Sequence, residues 1–335
     1  MIYDLSRRSV LSGIAAPFVI PSFAAAAQVT RDPVSVRKFG ARGDGTTDDT
    51  DALTRAHASG QAIYYPVTPA FYRISNVLQL NASTVSNGAE IRIIGDGTSA
   101  KTIFRVSANT HPITISGFVL DGGYKGGTNS EFSHGVNLRG ARDVIITGNT
   151  IRNHYGDCIC VDAAAVSTNI RIHDNRLLNP RRCNVAVVCG ENISIENNSC
   201  VKLVDYVASI DLEPDTNGFD FVRHVRIAGN NFSAAGIFLL AGVNNGISNT
   251  DLLVSGNRGR ALKFLRAYQN ALLRDVTVIQ NHFSATSPEG IMFDLQGVRG
   301  GEISDNIDES ACGGAYRSTR LRDCKISLTR NTFCP

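Results

Sequence analysis

Tryptophan is absent from this 335-residue sequence, and methionine occurs only twice. Without an indole ring, stacking against flat apolar ligand faces falls to nine tyrosines and fifteen phenylalanines. A dominant charge is absent too, because 33 Lys and Arg nearly balance 30 Asp and Glu and leave a formal net charge of +3. The sequence also has no run of basic residues, so nucleic acid is not an expected partner.

Long apolar runs are missing beyond the first 27 residues, so no membrane contact is expected from the remainder. Residues 1–27 (MIYDLSRRSVLSGIAAPFVIPSFAAAA) combine the twin arginine Arg7 and Arg8, an apolar stretch and a small-residue end. This pattern predicts a twin-arginine signal peptide, recognised by the Tat export machinery, and a periplasmic or secreted protein that begins near Gln28. The alternative is a short membrane anchor, but Pro17 and Pro21 interrupt an apolar run that is already short.

Eight cysteines in an exported chain permit disulfides, and Cys312, Cys324 and Cys334 lie close together in sequence. Cys158 and Cys160 form a C-x-C pair without a matching second pair, which is not a zinc signature. We therefore predict structural roles for the cysteines, as bridges or packed thiols, and no metal site.

A repeat of about 25 residues dominates the sequence after residue 140. Apolar-x-apolar runs end in asparagine eight times, at spacings of 26, 23, 32, 27, 24, 25 and 25 residues. The asparagines are Asn149, Asn175, Asn198, Asn230, Asn257, Asn281, Asn306 and Asn331. Each period also holds a second strand-like run, such as CICV at 158–161 or SIDL at 209–212.

Periods with two or three short strands and no amphipathic helix predict an all-β fold, a right-handed parallel β-helix in which each strand pairs with its counterpart one coil along. The asparagines should then stack as a ladder at one turn. A leucine-rich-repeat horseshoe is the alternative, but its leucine-dense frame and helical half-repeats are missing. We expect one domain over 28–335, with a strand, turn and cap at 28–75 and coils at 110–335.

The segment before the coils resembles the opening of the pectate-lyase-like β-helix superfamily, which includes polygalacturonase-like and tailspike-like members. The similar runs are VRKFGARGDGTTDDTDAL (36–53), AIYYP (62–66) and FYRIS (71–75). The resemblance implies a capping helix over the open end of the solenoid, with Asp48 or Asp49 as its N-cap. It gives structural roles to Asp44, Asp48 and Asp49. It also implies polysaccharide or oligosaccharide substrates bound along a groove on the coils.

Aligning the second strands by their apolar positions places Ile210 beside Ile237 and leaves two outward columns. One column holds Asn137, Cys160, Ala186, Asp211, Phe238 and Lys263, and the other holds Arg139, Asp162, Val188, Glu213 and Leu240. The α-carbons of Asp211 and Glu213 should lie about 6.6–6.8 Å apart, and Asp162 should lie two coils away, at roughly 9.6 Å along the solenoid. Turns at 153–157 (NHYGD) and 179–183 (NPRRC) should bring more polar side chains to the same edge.

These columns and turns predict a site. Its candidate catalytic residues are Asp211, Glu213, Asp157, Arg182 and Asp162. Its candidate substrate-binding residues are His154, Tyr155, Arg181, Tyr206, Asp215 and Lys263. The competing interpretation is that these side chains form no functional site. Surface strands often carry acidic residues for solubility, and an Asp157–Arg182 salt bridge would contribute little to stability.

Three functions fit this cluster. A glycoside hydrolase would use Asp211 and Glu213 as paired carboxylates, at separations of about 6.5–9.5 Å for inversion or 5–5.5 Å for retention. A polysaccharide lyase acting on a uronate polymer would use Arg182 or His154 as base, with calcium as a cofactor held by the acids. A non-catalytic surface β-helix would use the cluster for carbohydrate recognition.

The hydrolase is favoured because acids outnumber bases in the cluster and no D-x-D-x-D calcium motif is present, so no cofactor is expected. The sequence departs from the named families: NTD at 249–251 is not followed by the D-D, G-H-G and R-I-K motifs of polygalacturonases. The tryptophan- and histidine-containing motifs of pectate lyases are missing as well. Trimers occur among tailspike-like relatives, and oligomerisation of this chain stays open because no signature is visible.

Overall fold

A computed structural model describes residues 32–94, 101–127, 130–214, 220–242, 248–267, 272–311 and 317–333. The predicted signal segment and Asp215 lie outside these ranges. Three parallel sheets wind into a right-handed β-helix, as the repeat predicts. In each coil the chain passes through sheet 1, sheet 2 and sheet 3 in turn.

The strand bounds follow the repeat. Sheet 1 contains Val34–Ser35, Ile63–Tyr65, Thr84–Ser86, Ile113–Ser116, Arg142–Thr147, Ser167–His173, Gly190–Glu196, Val222–Ala228, Ser248–Ser255, Leu272–Ile279, Arg299–Ser304 and Lys325–Thr329. Sheet 2 contains Tyr72–Ile74, Glu90–Ile93, Val119–Asp121, Thr150–Arg152, Arg176–Leu178, Ser199–Lys202, Asn231–Ala234, Arg258–Ala261, His282–Ala285 and Ile307–Asp308. Sheet 3 contains Leu78–Gln79, Phe104–Ser107, Val136–Arg139, Ile159–Val161, Val185–Val187, Ala208–Leu212, Ile237–Ala241, Lys263–Ala267, Ile291–Gln296 and Arg317–Arg322.

The interior is a continuous column of apolar side chains, because alternate residues of every strand point inward. Branched aliphatic residues fill the central coils, where Ile159, Val185 and Ile210 lie in register. Toward the C-terminus the filling becomes aromatic, and Phe264 stacks on Phe283 with ring centroids 4.5 Å apart. The outer faces of the sheets are therefore left for polar chemistry.

The asparagine ladder is confirmed at the turn between sheet 1 and sheet 2. After Asn149, the Oδ1 atom of each of the seven following ladder asparagines accepts the backbone N–H and the side-chain Nδ2–H of the asparagine one coil earlier, at 2.9–3.1 Å. The residue before every ladder asparagine has φ between 52° and 65°. A left-handed residue turns the chain there, which explains why Gly, Asn and Asp occupy six of these positions, at 148, 174, 197, 229, 256 and 305.

A helix at Thr50–Ala58 covers the N-terminal end of the solenoid, preceded by a 3₁₀ turn at Val36–Phe39. It buries Leu53 and Ala56 against the first coils. Asp48 Oδ1 accepts the N–H of the first helical residue at 3.0 Å, whereas Asp49 accepts the N–H groups of residues 42 and 43. Asp44 similarly accepts two backbone N–H groups in its own turn. All three aspartates therefore serve the cap, as expected.

The predicted register is wrong by two residues at the Ile237–Ala241 strand and by three at the Lys263–Ala267 strand. Ile210 pairs with Leu239, so the outward neighbour of Asp211 is Leu240 and the next one is Arg266, instead of Phe238 and Lys263. Apolar alternation alone does not detect a two-residue shift, but Phe238, which was predicted to face outward, lies in the core.

Cysteines in the described ranges are free thiols. Cys158, Cys160, Cys183, Cys189 and Cys200 are buried, which agrees with packed thiols. No helix in the described part of the chain combines the length and the apolar character needed to cross a bilayer.

Candidate functional site

A cavity of about 300 Å³ opens on the outer face of sheet 3, where the coils that carry residues 131–139, 153–162, 179–188 and 206–213 lie side by side. Six polar side chains line it: Glu131, His134, Asp157, Asp162, Arg182 and Glu213. Four of the five predicted catalytic residues are therefore brought together. They converge because parallel strands in register place the same turn of successive coils about 4.8 Å apart.

Arg182 and Glu213 form the central ion pair, with Nη2 and Oε1 2.7 Å apart. Burial lowers the pKa of Arg182, but the Asp157 and Glu213 carboxylates outweigh it and hold the guanidinium protonated. Burial raises the pKa of Glu213, Arg182 opposes this, and the net result is a raised pKa. Glu213 is thus an acid that keeps its proton to a higher pH than an exposed glutamate.

Asp157 is fully buried at the base of the cavity. Its Oδ1 accepts the Cys183 N–H at 2.9 Å, and its Oδ2 lies 3.2 Å from His134 Nδ1. Burial raises its pKa, but the His134 contact, the Arg182 charge and the Cys183 N–H outweigh burial and lower it overall. Asp157 therefore stays ionised.

Asp162 faces the cavity two coils before Glu213. Its Oδ2 accepts the Asn137 Nδ2–H at 3.2 Å, with Arg139 Nε at 3.6 Å. About a third of the side chain is exposed. The backbones of positions 162, 188 and 213 follow one another in register, so Asp162 and Glu213 belong to one outward column two rungs apart.

Asp211 lies behind the cavity wall and is only 1% exposed. Ala186 and Leu240 flank it in register, and neither of its carboxyl oxygens has a hydrogen-bond partner in the described ranges. Burial, followed by the Glu213 charge, raises its pKa well above the usual range. Burial thus favours the protonated form of Asp211, whereas the neighbouring Glu213 is partly exposed at the cavity.

The remaining predicted residues do not line this cavity. His154 is wholly buried, and burial lowers its pKa to about 4, so it is a neutral interior residue. Arg181 is buried with its guanidinium 4.5 Å from the Tyr206 ring centroid, and Tyr206 itself is exposed. Tyr155 contacts Tyr124 edge-on, at 5.0 Å between ring centroids.

Lys263 pairs with Ile237 in the ladder, and its Nζ donates to Asp294 at 2.8 Å. This placement follows from the register error described above. The prediction for Asp215 lies outside the described residues.

Two cavity residues escaped prediction, His134 and Glu131. Val136 pairs with Ile159, so His134 occupies the same turn position as Asp157 one coil earlier. Extending the column alignment back by one coil, into the turn before GVNL, would have found it. Glu131 lies in an irregular segment that carries no repeat signal.

Comparisons with known proteins place the chain among carbohydrate-associated and phage β-helices. It is 30% identical to the preneck appendage protein of Bacillus phage PZA over 131 residues, which make up 36% of this chain and 14% of that protein. Thus the chain spans only a small part of that relative. Its fold is similar to the Streptococcus pneumoniae surface protein and adhesin PfbA, with a TM-score of 0.70 and 17% identity over 90% of this chain and 97% of that chain.

A hyperthermoactive exopolygalacturonase from Thermotoga maritima has a TM-score of 0.62 and 13% identity over 91% of this chain and 93% of that chain. At such identities both structural likenesses concern the fold alone. The family described as "Rhamnogalacturonase A/epimerase, pectate lyase-like" matches residues 33–290, and the chain belongs to this family.

Proposed function

We propose that the chain is an exported glycoside hydrolase that cleaves polysaccharide in the sheet 3 cavity. The observation that carries this proposal is the position of Glu213 at the cavity wall, paired with Arg182 and next to the buried Asp211, where burial raises the pKa of both carboxyl groups. Glycosidic cleavage requires a carboxylic acid that is still protonated near neutral pH, which burial beside a second carboxyl group provides.

In this mechanism the proton of the Asp211–Glu213 pair is delivered through Glu213 to the leaving glycosidic oxygen as its bond to the sugar breaks. Asp162, in the same column, accepts a proton from the water that attacks the sugar carbon. Two rungs separate the backbones of these residues by roughly 9.6 Å along the solenoid, which is at the upper end of the carboxyl separations of about 6.5–9.5 Å in inverting enzymes and far from the shorter ones of retaining enzymes. Arg182 orients Glu213 and offers charge to an acidic sugar.

Hydrolysis is favoured over elimination because the two predicted lyase bases are unsuitable. Arg182 is held protonated by Asp157 and Glu213, which raise its pKa. His154 has a low enough pKa to be a base, but it is wholly buried away from the cavity. Neither side chain is placed to remove a proton next to a uronate carboxylate.

The relatives support this assignment and the export of the chain. The exopolygalacturonase supplies the hydrolytic precedent on the same fold, and PfbA is a surface protein and adhesin. A periplasmic or secreted location reached through the twin-arginine signal is part of the proposal.

The test is cleavage of a panel of acidic and neutral polysaccharides by the wild-type chain and by Glu213→Gln and Asp162→Asn variants. We expect new reducing ends without ultraviolet absorbance from an unsaturated product. Each variant should lose at least about 100-fold in kcat, since general acid–base catalysis contributes on the order of 10²–10⁴.

Glu191→Gln is the matched control, because Glu191 makes a similar arginine pair, with Arg223 at 2.9 Å, on sheet 1. It should retain wild-type turnover. Unsaturated products would replace the hydrolase with a lyase, and full activity in Glu213→Gln would remove the proposed acid.

A binding protein without catalysis is the second candidate, and the extent of the likeness to the adhesin PfbA favours it, since that fold covers 97% of the adhesin chain. In that case the same cavity would recognise a saccharide without cleaving it. Retained polysaccharide binding with no product of either kind would select this function.

A further inference from the structure

His134 Nδ1 contacts two groups of Asp157, the backbone N–H and the carboxyl oxygen Oδ2, and one ring nitrogen cannot both accept from the first and donate to the second. The Asp157 backbone N–H donates to His134 Nδ1 at 3.2 Å, so this nitrogen presents a lone pair. The Asp157 Oδ2 lies 3.2 Å from the same nitrogen and has no hydrogen-bond partner in the described ranges. When Nδ1 accepts this N–H it cannot also donate to Oδ2, and a cation between the two atoms would satisfy both of them.

A thiol completes this arrangement. Cys160 also lines the cavity, and one donor atom each from His134, Asp157 and Cys160 lie within 4.8 Å of one another. A tetrahedral ion with bonds of about 2.0–2.3 Å holds its ligand atoms roughly 3.3–3.8 Å apart. Small side-chain rotations would therefore bring the three atoms onto one ion.

The surroundings leave room for such an ion and for a fourth ligand. A Cβ at Gly156 would meet His134 Nδ1 at 2.9 Å and the Glu131 carbonyl oxygen at 2.2 Å, so only glycine allows the imidazole its position. Arg182 is engaged by Glu213, and His134, Asp157 and Cys160 all line the cavity although each of them is buried. A fourth ligand would enter from this cavity.

We propose that His134, Asp157 and Cys160 bind a divalent transition metal ion, with Zn²⁺ as the expected ion and an open fourth position facing the cavity. The donor set of one nitrogen, one oxygen and one sulfur excludes calcium and magnesium, which require oxygen ligands, and suits a borderline-soft cation. Three protein ligands and one open position are the pattern of zinc sites that bind water or substrate. This site is independent of the proposed hydrolase, whose proton transfers use Glu213 and Asp162.

Cobalt(II) titration of the full chain, stripped of metal with chelator, tests the proposal. We expect one Co²⁺ per chain, with a thiolate-to-cobalt charge-transfer band in the near ultraviolet that zinc abolishes by displacement. Cys160→Ser should remove the band, and Asp157→Asn should weaken cobalt binding at least tenfold. Cys324→Ser, at a partly exposed thiol outside the cavity, and Asp162→Asn, inside it, should leave the band unchanged.

X-ray absorption at the zinc edge of the wild-type complex provides a readout that needs no variant. One sulfur and a shell of nitrogen and oxygen ligands are expected. A wild-type titration without the band, a band that survives in Cys160→Ser, or a sulfur-free zinc shell would overturn the site. The first of these results would assign the His134–Asp157 contact to a shared proton.

Discussion

Asp211 and Glu213 lie two residues apart on the same face of one chain segment, yet they differ in solvent exposure and in their contacts. Glu213 reaches Arg182 and the cavity, whereas Asp211 is closed in by its rung neighbours Ala186 and Leu240. A carboxyl group without a hydrogen-bond donor in such a position keeps its proton, because ionising it would bury an uncompensated charge.

Asp211→Asn should therefore change the pH dependence of stability. The raised pKa of Asp211 means that the folded chain binds more protons than the unfolded chain above about pH 4, so the wild-type protein loses stability as pH rises. The asparagine variant lacks this loss. Its melting temperature should match the wild type near pH 4 and exceed it increasingly toward pH 8, as measured by thermal unfolding across that range.

A melting-temperature difference that stays constant with pH would show that Asp211 is ionised in the folded chain. Asp162→Asn is a suitable comparison, because Asp162 is partly exposed and accepts a side-chain hydrogen bond. It serves as the control for the loss of a carboxyl group from the cavity.

For individual residues, the sequence predicts which side chains meet at the cavity better than it predicts which side chains are buried. Spacing alone brought Asp157, Asp162, Arg182 and Glu213 to one cavity, since the register of a solenoid is nearly fixed by its period. It did not predict that His154 would be wholly buried, because burial in a turn depends on neighbouring coils that lack a pattern.

The asparagine ladder is the element that fixes the coil period. A central member such as Asn198 takes part in four side-chain hydrogen bonds: it donates to the Ile172 carbonyl and to Asn230, and it accepts two from Asn175. Every one of these partners is a buried group that has no water to replace the bond.

Asn198→Ala should accordingly destabilise the chain by about 3 kcal/mol or more, because it leaves buried amide and carbonyl groups unpaired. Asn331→Ala removes the last member of the same ladder, which is partly exposed, and should cost about 1 kcal/mol. Urea unfolding followed by circular dichroism measures both. Equal losses at the two positions would mean that the ladder is not a buried, cooperative unit.

The ladder was predictable in full because asparagine recurs after an apolar-x-apolar run in each of the eight coils from the Arg142–Thr147 strand onward. The sheet 3 register between Ile210 and Leu239 was not predictable from the sequence, because the longest coil lies between these residues and a shift of two residues preserves the alternation of apolar and polar side chains. Turn residues with a special conformation therefore carry more register information than strand residues do.

The whole molecule is a stack whose first apolar rung must be covered. Leu53 in the Thr50–Ala58 helix is fully buried over that rung, and Thr54 beside it is exposed. Repeat proteins need such caps because an open end presents both apolar side chains and unpaired strand edges.

Leu53→Asp should disrupt the packing of the Thr50–Ala58 helix over the first coil. Placing a charge there should cost about 3 kcal/mol or more and expose the end of the solenoid to other chains. Light scattering should detect self-association that the Thr54→Asp control does not show. A monomeric Leu53→Asp variant with unchanged stability would contradict the capping role.

Function at the scale of the molecule depends on where a saccharide lies along the solenoid. The most direct measurement is a crystal structure of the Glu213→Gln variant with an oligosaccharide from a polymer that the wild-type chain cleaves or binds. The account predicts a sugar chain in the sheet 3 cavity, with a glycosidic oxygen in hydrogen-bond contact with the side chain at position 213 and Asp162 on the opposite face of the sugar. An oligosaccharide bound on sheet 1 or sheet 2, away from Arg182, would contradict it.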